Sequence, residues 1–147
     1  MRSTLILLGL VAGLGLTVQV GMNAAIRDAT GSAGFASLVN FCVGIVALLG
    51  FVLLMRTPLP NAQVLGALPA WVWLGGLFGA LYVASATVIG PALGGTMLLA
   101  LTVLGQLSAA LIVDHFGWLG FPQHPLTFSR IIGVLLLLAG TWLIAKV

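Results

Sequence analysis

Residues 4–26 read TLILLGLVAGLGLTVQVGMNAAI and contain no charged side chain. A helix needs about 20 predominantly apolar residues to cross a hydrocarbon core about 30 Å thick, and this stretch is long enough. A secretory signal peptide has a shorter apolar core, followed by a small-residue cleavage site. No polar cleavage region interrupts this run. We therefore expect it to be retained as the first transmembrane helix.

Four further apolar runs follow the first one, at residues 34–55, 70–89, 92–113 and 130–145. The sequence RDATGS follows the first run, and Gly90-Pro91 separates the third run from the fourth. A single helix over 70–113 would be about 66 Å long at 1.5 Å per residue, which is twice the bilayer. The sequence therefore predicts an all-α bundle of five transmembrane helices in one domain, 1–147, with almost no loop between the third and the fourth.

The composition excludes a soluble domain. The chain is 61% hydrophobic and 5% charged, whereas soluble proteins carry about 25% charged residues. Its formal net charge of +3 comes from basic residues scattered along the chain. Such residues are typical of the flanks of membrane helices, and we expect membrane lipid and no nucleic acid as a partner.

The segment 114–125, DHFGWLGFPQHP, is too short and too broken by Gly and Pro to span a bilayer. Its aromatic and polar side chains are typical of the headgroup zone. We expect an interfacial loop or a short helix here.

The distribution of basic residues only weakly favours one orientation of a five-helix chain in the membrane. Arg2, Arg56 and Arg130 would lie on one side, and Arg27 and Lys146 on the other. This difference of one charge leans towards a cytoplasmic amino terminus. A chain so balanced could insert both ways, and two opposed copies would form an inverted repeat of the kind that many transporters contain.

Small residues recur every four positions in the first predicted helix, at Gly9, Gly13, Thr17 and Gly21. Such a ridge lets helices approach closely in lipid. We expect it to pack within the chain. The last predicted helix carries Gly133 and Gly140 one heptad apart, and a dimer surface is the alternative for that helix.

Polar side chains within membrane helices are costly and therefore mark candidate functional sites. We select five as the expected lining of a substrate site: Gln19, Asn23, Asn40, Tyr82 and Gln106. The amides among them can both donate and accept hydrogen bonds. The alternative is that they join helices, at about 0.6 kcal/mol for each hydrogen bond.

The two acidic residues, Asp28 and Asp114, both lie outside the middle of any predicted span. Asp114 with His115 is the candidate pair for proton coupling, and a solvated interfacial pair is the alternative. The sequence carries neither a nucleophile motif nor a clear metal-ligand spacing, so we expect no enzyme, no metal and no other cofactor.

Several short stretches together resemble one known family, the YdcZ-like family of small bacterial inner-membrane proteins in the drug/metabolite transporter superfamily. They are GLTVQVGMNAAIR at 15–27, NFCVG at 40–44, WLGGLFGA at 73–80, PALG at 91–94, Gly105-Gln106 and DHFG at 114–117. The resemblance covers essentially the whole chain. It implies a five-helix exporter that works as an antiparallel, dual-topology homodimer or with an oppositely oriented paralogue. One chain would then be half of an inverted-repeat transporter.

Small multidrug resistance proteins, which are relatives of this family, use a glutamate in their first helix, but this chain has no glutamate. Gln19 could lie at a similar depth, but an amide does not release a proton at ordinary pH. We expect alternating-access export of a small metabolite or amphipathic compound, and a neutral site suits an uncharged or zwitterionic substrate. The alternative is a non-transporting membrane scaffold or accessory subunit.

Overall fold

The structure is a computed structural model that describes the backbone of residues 2–146 and the side chains of residues 3–146. All regular elements in this range are helical. They are α1 (Arg2–Thr30), α2 (Ala33–Leu54), α3 (Ala62–Gly66), α4 (Leu74–Leu93), α5 (Gly95–Phe116) and α6 (Phe128–Ile144), with short 3₁₀ helices at Ala70–Trp73 and Trp118–Gly120.

In the described range, four helical segments are long and apolar enough to cross a membrane. They are α1, α2, the continuous stretch Ala70–Leu93 that ends with α4, and α5. The apolar helix α6 is shorter, at 17 residues. At 1.5 Å per residue it is about 26 Å long, which is close to the lower limit for a transmembrane helix. The fifth span therefore stays a prediction.

The first helix is longer than predicted. The sequence RDATGS was assigned to a turn, and this is wrong for its first four residues, since α1 continues to Thr30. Nothing in Arg27 to Thr30 breaks a helix, and the hydroxyl of Thr30 donates to the carbonyl of Ile26 at 2.7 Å. The break comes at Gly31, which has φ +71°. Ser32 then starts α2, because its side chain accepts a hydrogen bond from the N–H of Phe35.

The predicted break at Gly90-Pro91 is also wrong, because α4 continues through Pro91 to Leu93. The single residue Gly94 separates α4 from α5, with φ +82° and ψ 149°. This region of backbone conformation is essentially restricted to glycine. The predicted fourth helix, 92–113, therefore begins at Gly95 and ends at Phe116.

The chain forms two compact units, the first ending at Pro91 and the second beginning at Ala92. In the first unit, α1 packs along α2. A methyl group added at Gly79 of α4 would lie 3.8 Å from Cζ of Phe41 in α2. Helix α4 is thus in contact with α2. The buried residues of this unit are small or polar for the most part: Asn23, Ala36, Ser37, Val83, Ala86, Thr87 and Gly90.

In the second unit, α5 packs along α6. Gly117 caps the end of helix α5, and its N–H donates to the carbonyl of Val113. The chain then returns to the end of α5, where the N–H of His124 donates to the carbonyl of Asp114 at 2.8 Å. Thr127 starts α6 by accepting from the N–H of Arg130. The segment expected at the interface therefore contains a 3₁₀ helix and folds back on the end of α5.

The small-residue ridge of α1 is uncovered. Methyl groups added at Gly9, Gly13 and Gly21 would meet nothing within 4 Å among the described residues. No helix in this part of the chain packs closely at these positions, so the expected packing of the ridge within the chain is wrong.

Candidate functional site

Two of the predicted site residues line the same cavity in the first unit. Gln19 of α1 and Asn40 of α2 border a cavity of about 390 Å³, which lies within the usual size range of small-molecule sites, about 300–1,000 Å³. The rest of the lining is apolar and comes from α2: Phe41, Val43, Gly44, Ile45, Ala47 and Leu48. Since Val43, Ile45 and Leu48 are more than half exposed, the cavity is an open, largely apolar groove with two amides at its wall.

The two amides lie at membrane depth. Measured along the helix axes at 1.5 Å per residue, Asn40 lies roughly 12 Å and Gln19 roughly 18 Å from the turn at Gly31 and Ser32 that joins α1 and α2. Within the part of the chain that the structure describes, neither side chain makes a hydrogen bond. The alternative role, in which these amides hold α1 and α2 together, is therefore not observed. Both groups can donate to and accept from a ligand or water in the cavity.

The other predicted lining residues do not border this cavity. Asn23 lies one helical turn after Gln19 and is buried, with 3% of its surface exposed. Tyr82 of α4 is half-buried, and Gln106 lies on an exposed part of α5 in the second unit. The structure thus brings together two of the five residues selected from the sequence.

A link between α1 and α4 involves a residue that the sequence assigned to a turn. Nη1 of Arg27 donates to the carbonyl oxygen of Thr87 at 3.3 Å, and Thr87 is fully buried. In a regular helix that carbonyl would accept from the N–H four residues later, but that residue is Pro91, which has none. Arg27 therefore satisfies a carbonyl that the proline leaves without its helical partner.

Arg27 also forms an ion pair with Asp28, through Nη2 at 2.7 Å and Nε at 3.0 Å from the same carboxylate oxygen. Asp28 is 64% exposed. The exposed carboxylate of Asp28 therefore helps to orient the guanidinium of Arg27, which contacts α4. The pattern that could have indicated this role is a proline four residues after Thr87, together with a basic residue at the end of α1.

A second polar cluster lies where α5 ends and α6 begins. Nη1 of Arg130 lies 3.3 Å from Oδ2 of Asp114 and 3.5 Å from the carbonyl oxygen of His124. Nδ1 of His115 accepts from the N–H of Leu126 at 3.3 Å. Asp114 and His115 were selected as a pair, but each has a different partner. Sequence reasoning missed the pairing with Arg130, because the two residues lie in different helices.

No group of three His, Cys, Asp or Glu side chains with a geometry suited to a metal ion occurs among residues 3–146. The candidate polar sites of the described chain are thus the amides within the apolar helices and the ion pairs at helix ends.

Long apolar helices with ion pairs at their ends define a multi-pass integral membrane protein. Comparison with known proteins agrees: residues 4–143 match the family described as "Putative inner membrane exporter, YdcZ". The chain is also similar to the inner membrane protein YdcZ of Escherichia coli (strain K12), with 29% identity over 137 residues, which cover 93% of this chain and 91% of that protein. No solved structure matches the chain.

The chain belongs to the YdcZ family of inner-membrane proteins. Its location in the inner membrane as a multi-pass protein follows from the family match and from the apolar helices. The resemblance stated from the sequence is thereby confirmed.

Proposed function

We propose that this protein is a transporter that exports a small uncharged or zwitterionic metabolite, or an amphipathic compound, by alternating access. The observation that carries the proposal is the cavity beside Gln19 and Asn40, whose amides make no hydrogen bond to the described residues. The match to the family described as "Putative inner membrane exporter, YdcZ" supports it.

The proposed substrate class follows from the chemistry of the cavity wall. An unpaired charge is costly to bury in an apolar cavity, and the lining contains no charged side chain. Amides can instead hydrogen-bond hydroxyl, carbonyl or amide groups of a substrate. The apolar part of the lining suits the carbon skeleton of an amphipathic compound.

The working form that we propose is an antiparallel homodimer, or a pair with an oppositely oriented paralogue. Each chain would be one half of an inverted-repeat fold of two five-helix halves. The uncovered glycine ridge of α1 supports the proposal, because small residues permit close approach of a second helix. The exposed amide of Gln106 would face the aqueous pathway, and Asp114 with His115 would be the candidates for proton coupling.

The transport proposal is tested with purified protein in liposomes loaded with a defined panel of amino acids, sugars and amphipathic amines. Release is measured by mass spectrometry. Gln19→Leu and Asn40→Leu should each reduce transport of a released compound about two- to tenfold, the range expected for one lost hydrogen bond. Gln63→Leu, on the exposed helix α3, is the matched control. Wild-type transport by both cavity variants would refute the site.

The scaffold alternative is distinguished by cysteine accessibility. The native Cys42 is exposed and is first replaced by Ser. Asn40→Cys should then react with a membrane-impermeant maleimide. Val46→Cys, on α2, is 71% exposed but does not line the cavity, and it should be shielded by lipid. Protection at both positions would favour a packed scaffold.

Dual topology has a separate test. A carboxy-terminal reporter pair, one active only in the cytoplasm and one only in the periplasm, should give signal on both sides of the membrane. Signal on one side alone would contradict the homodimer, and an oppositely oriented paralogue would then have to be found by co-purification.

A further inference from the structure

A second cavity, separate from the one beside Gln19, lies in the groove between α5 and α6. Its volume is about 360 Å³. Five apolar residues form most of its wall: Leu107, Ala110, Leu111, Gly133 and Val134. Asp114 and Arg130, which lie 3.3 Å apart, complete the lining.

The groove is polar at one end only. On α5, Leu107 to Leu111 precede Asp114, and on α6, Gly133 and Val134 follow Arg130. Because α5 ends at Phe116 and α6 begins at Phe128, the ion pair lies at the helix ends and the apolar wall runs from there into the helical bundle. At 1.5 Å per residue, Leu107 lies about 10 Å deeper along α5 than Asp114.

Four exposed aromatic side chains belong to the stretch of chain between Asp114 and Arg130, namely Phe116, Trp118, Phe121 and Phe128. Tryptophan, here Trp118, is enriched at the headgroup level of a bilayer, and Arg near helix ends is common there too. We therefore expect the ion pair at the level of the lipid headgroups and the apolar wall at the level of the acyl chains.

The ion pair leaves hydrogen-bonding capacity unused. Arg130 uses Nη1 for both of its side-chain contacts, and Asp114 uses Oδ2. Among the described residues, Nε and Nη2 of Arg130 and Oδ1 of Asp114 make no hydrogen bond. Their side chains are 35% and 26% exposed. Two donor nitrogens of Arg130 and one carboxylate oxygen of Asp114 are thus available to a ligand.

We propose that this groove binds one phospholipid with a zwitterionic headgroup that carries a primary ammonium, such as phosphatidylethanolamine. Arg130 would donate to the phosphate, for which a guanidinium is well suited, and Asp114 would accept from the ammonium. One acyl chain would lie along the apolar wall, beside Gly133, where the missing side chain leaves the groove open.

The charges of the pair favour this lipid over an anionic one. Asp114 and Arg130 cancel formally, so a headgroup with phosphate alone would place negative charge beside the carboxylate of Asp114. A zwitterionic headgroup gives each of the two charges an opposite partner. A choline headgroup satisfies the charges but has no N–H group for Oδ1 of Asp114.

The test is native mass spectrometry of the full chain in detergent, titrated with phosphatidylethanolamine, phosphatidylcholine and phosphatidylglycerol of identical acyl chains. The wild type should bind the first lipid at least about tenfold more tightly than the other two, as expected for one additional charge-assisted hydrogen bond. Glycerophosphoethanolamine, which lacks acyl chains, should show no binding at the same concentrations.

Three variants assign the binding to the groove. Arg130→Gln should weaken binding of all three lipids, whereas Asp114→Asn should abolish the preference for phosphatidylethanolamine and improve binding of phosphatidylglycerol. Gly133→Leu should block the groove while both charges remain. Gly140→Leu, one heptad further along α6 and outside the lining, is the matched control and should bind as the wild type does.

Before lipid binding is compared, circular dichroism is used to check that each variant keeps the helical content of the wild type. Equal affinity for the three lipids, tighter binding of phosphatidylglycerol by the wild type, or unchanged binding by Gly133→Leu would each overturn the proposal. Equal affinity would indicate that lipids only surround the protein.

Discussion

Replacing Arg27 by Met should destabilise the first unit, and replacing Pro91 by Ala should remove most of that effect. In the wild type, Arg27 donates to the buried carbonyl of Thr87, which Pro91 deprives of its helical donor. With Ala at position 91, the N–H of that residue can bond the carbonyl of Thr87 within α4. The contribution of Arg27 is then reduced to its pairing with Asp28.

The size of the effect follows from the geometry. A buried polar group that loses its partner costs about 1–3 kcal/mol. The distance of 3.3 Å is longer than the usual 2.9–3.0 Å, so we take the lower part of that range, about 1–2 kcal/mol. The pair with Asp28 adds only about 0.2–1 kcal/mol, because that carboxylate is largely exposed.

The assay is a double-mutant cycle, in which the free energy of unfolding is measured in mixed micelles by titration with a denaturing detergent and circular dichroism. Arg27→Met should cost about 1–3 kcal/mol in the wild-type background and less than about 1 kcal/mol in the Pro91→Ala background. Asp28→Asn is the control, because it breaks the ion pair and leaves the bond to Thr87. An equal cost of Arg27→Met in both backgrounds would refute the reasoning.

Two further predictions concern single residues at helix ends. Gly94→Ala should destabilise the protein by about 1–3 kcal/mol because of its backbone conformation, whereas Gly95→Ala, at the first residue of α5, should be neutral or stabilising by up to about 1 kcal/mol; equal effects in the unfolding titration would contradict this. His115→Phe should speed hydrogen exchange at the amide of Leu126 about two- to tenfold by removing its acceptor, and His115→Asn, which keeps an acceptor near the position of Nδ1, should not. Equal exchange in both variants would show that this bond does not protect the amide.

Hydropathy alone predicted the helical class and the membrane location, because a bilayer requires long apolar helices whose backbone groups are satisfied internally. The helix ends were harder to predict. Arg27 and Pro91 were both interpreted as breaks. A charged residue can remain in a helix when it has an ion pair and an acceptor, as Arg27 does. Pro91 removes one hydrogen bond of α4 and leaves the carbonyl of Thr87 free, but Arg27 donates to that carbonyl and α4 continues for two residues after the proline.

The candidate site was predictable in part. Polarity at membrane depth selected Gln19 and Asn40, and these two line one cavity. The same criterion selected Asn23 and Tyr82, which do not line this cavity. Hydropathy reports depth along a helix axis, but rotation about that axis decides whether a side chain borders the cavity. This rotation depends on how the helices pack against one another, and a uniformly apolar sequence gives little information about that packing.

The partnership of Asp114 with Arg130 shows the same difficulty. Each residue lies near the end of its helix, and the sequence placed Asp114 beside His115 because they are neighbours in the chain. Side chains at successive positions of a helix point in different directions, so His115 and Asp114 find separate partners. The return of the chain over 117–127 is what brings Arg130 to Asp114.

The hydrogen bond from Arg27 to the carbonyl of Thr87 also joins two helices that are synthesised at different times. Arg27 precedes Thr87 by 60 residues, which the ribosome adds in about 3–12 s at 5–20 residues per second. The amino-terminal helix is thus translated before the proline-containing helix emerges, and the donor is available when the carbonyl needs it. If the order of these two helices along the chain were reversed by circular permutation, α4 would enter the bilayer with that carbonyl unsatisfied.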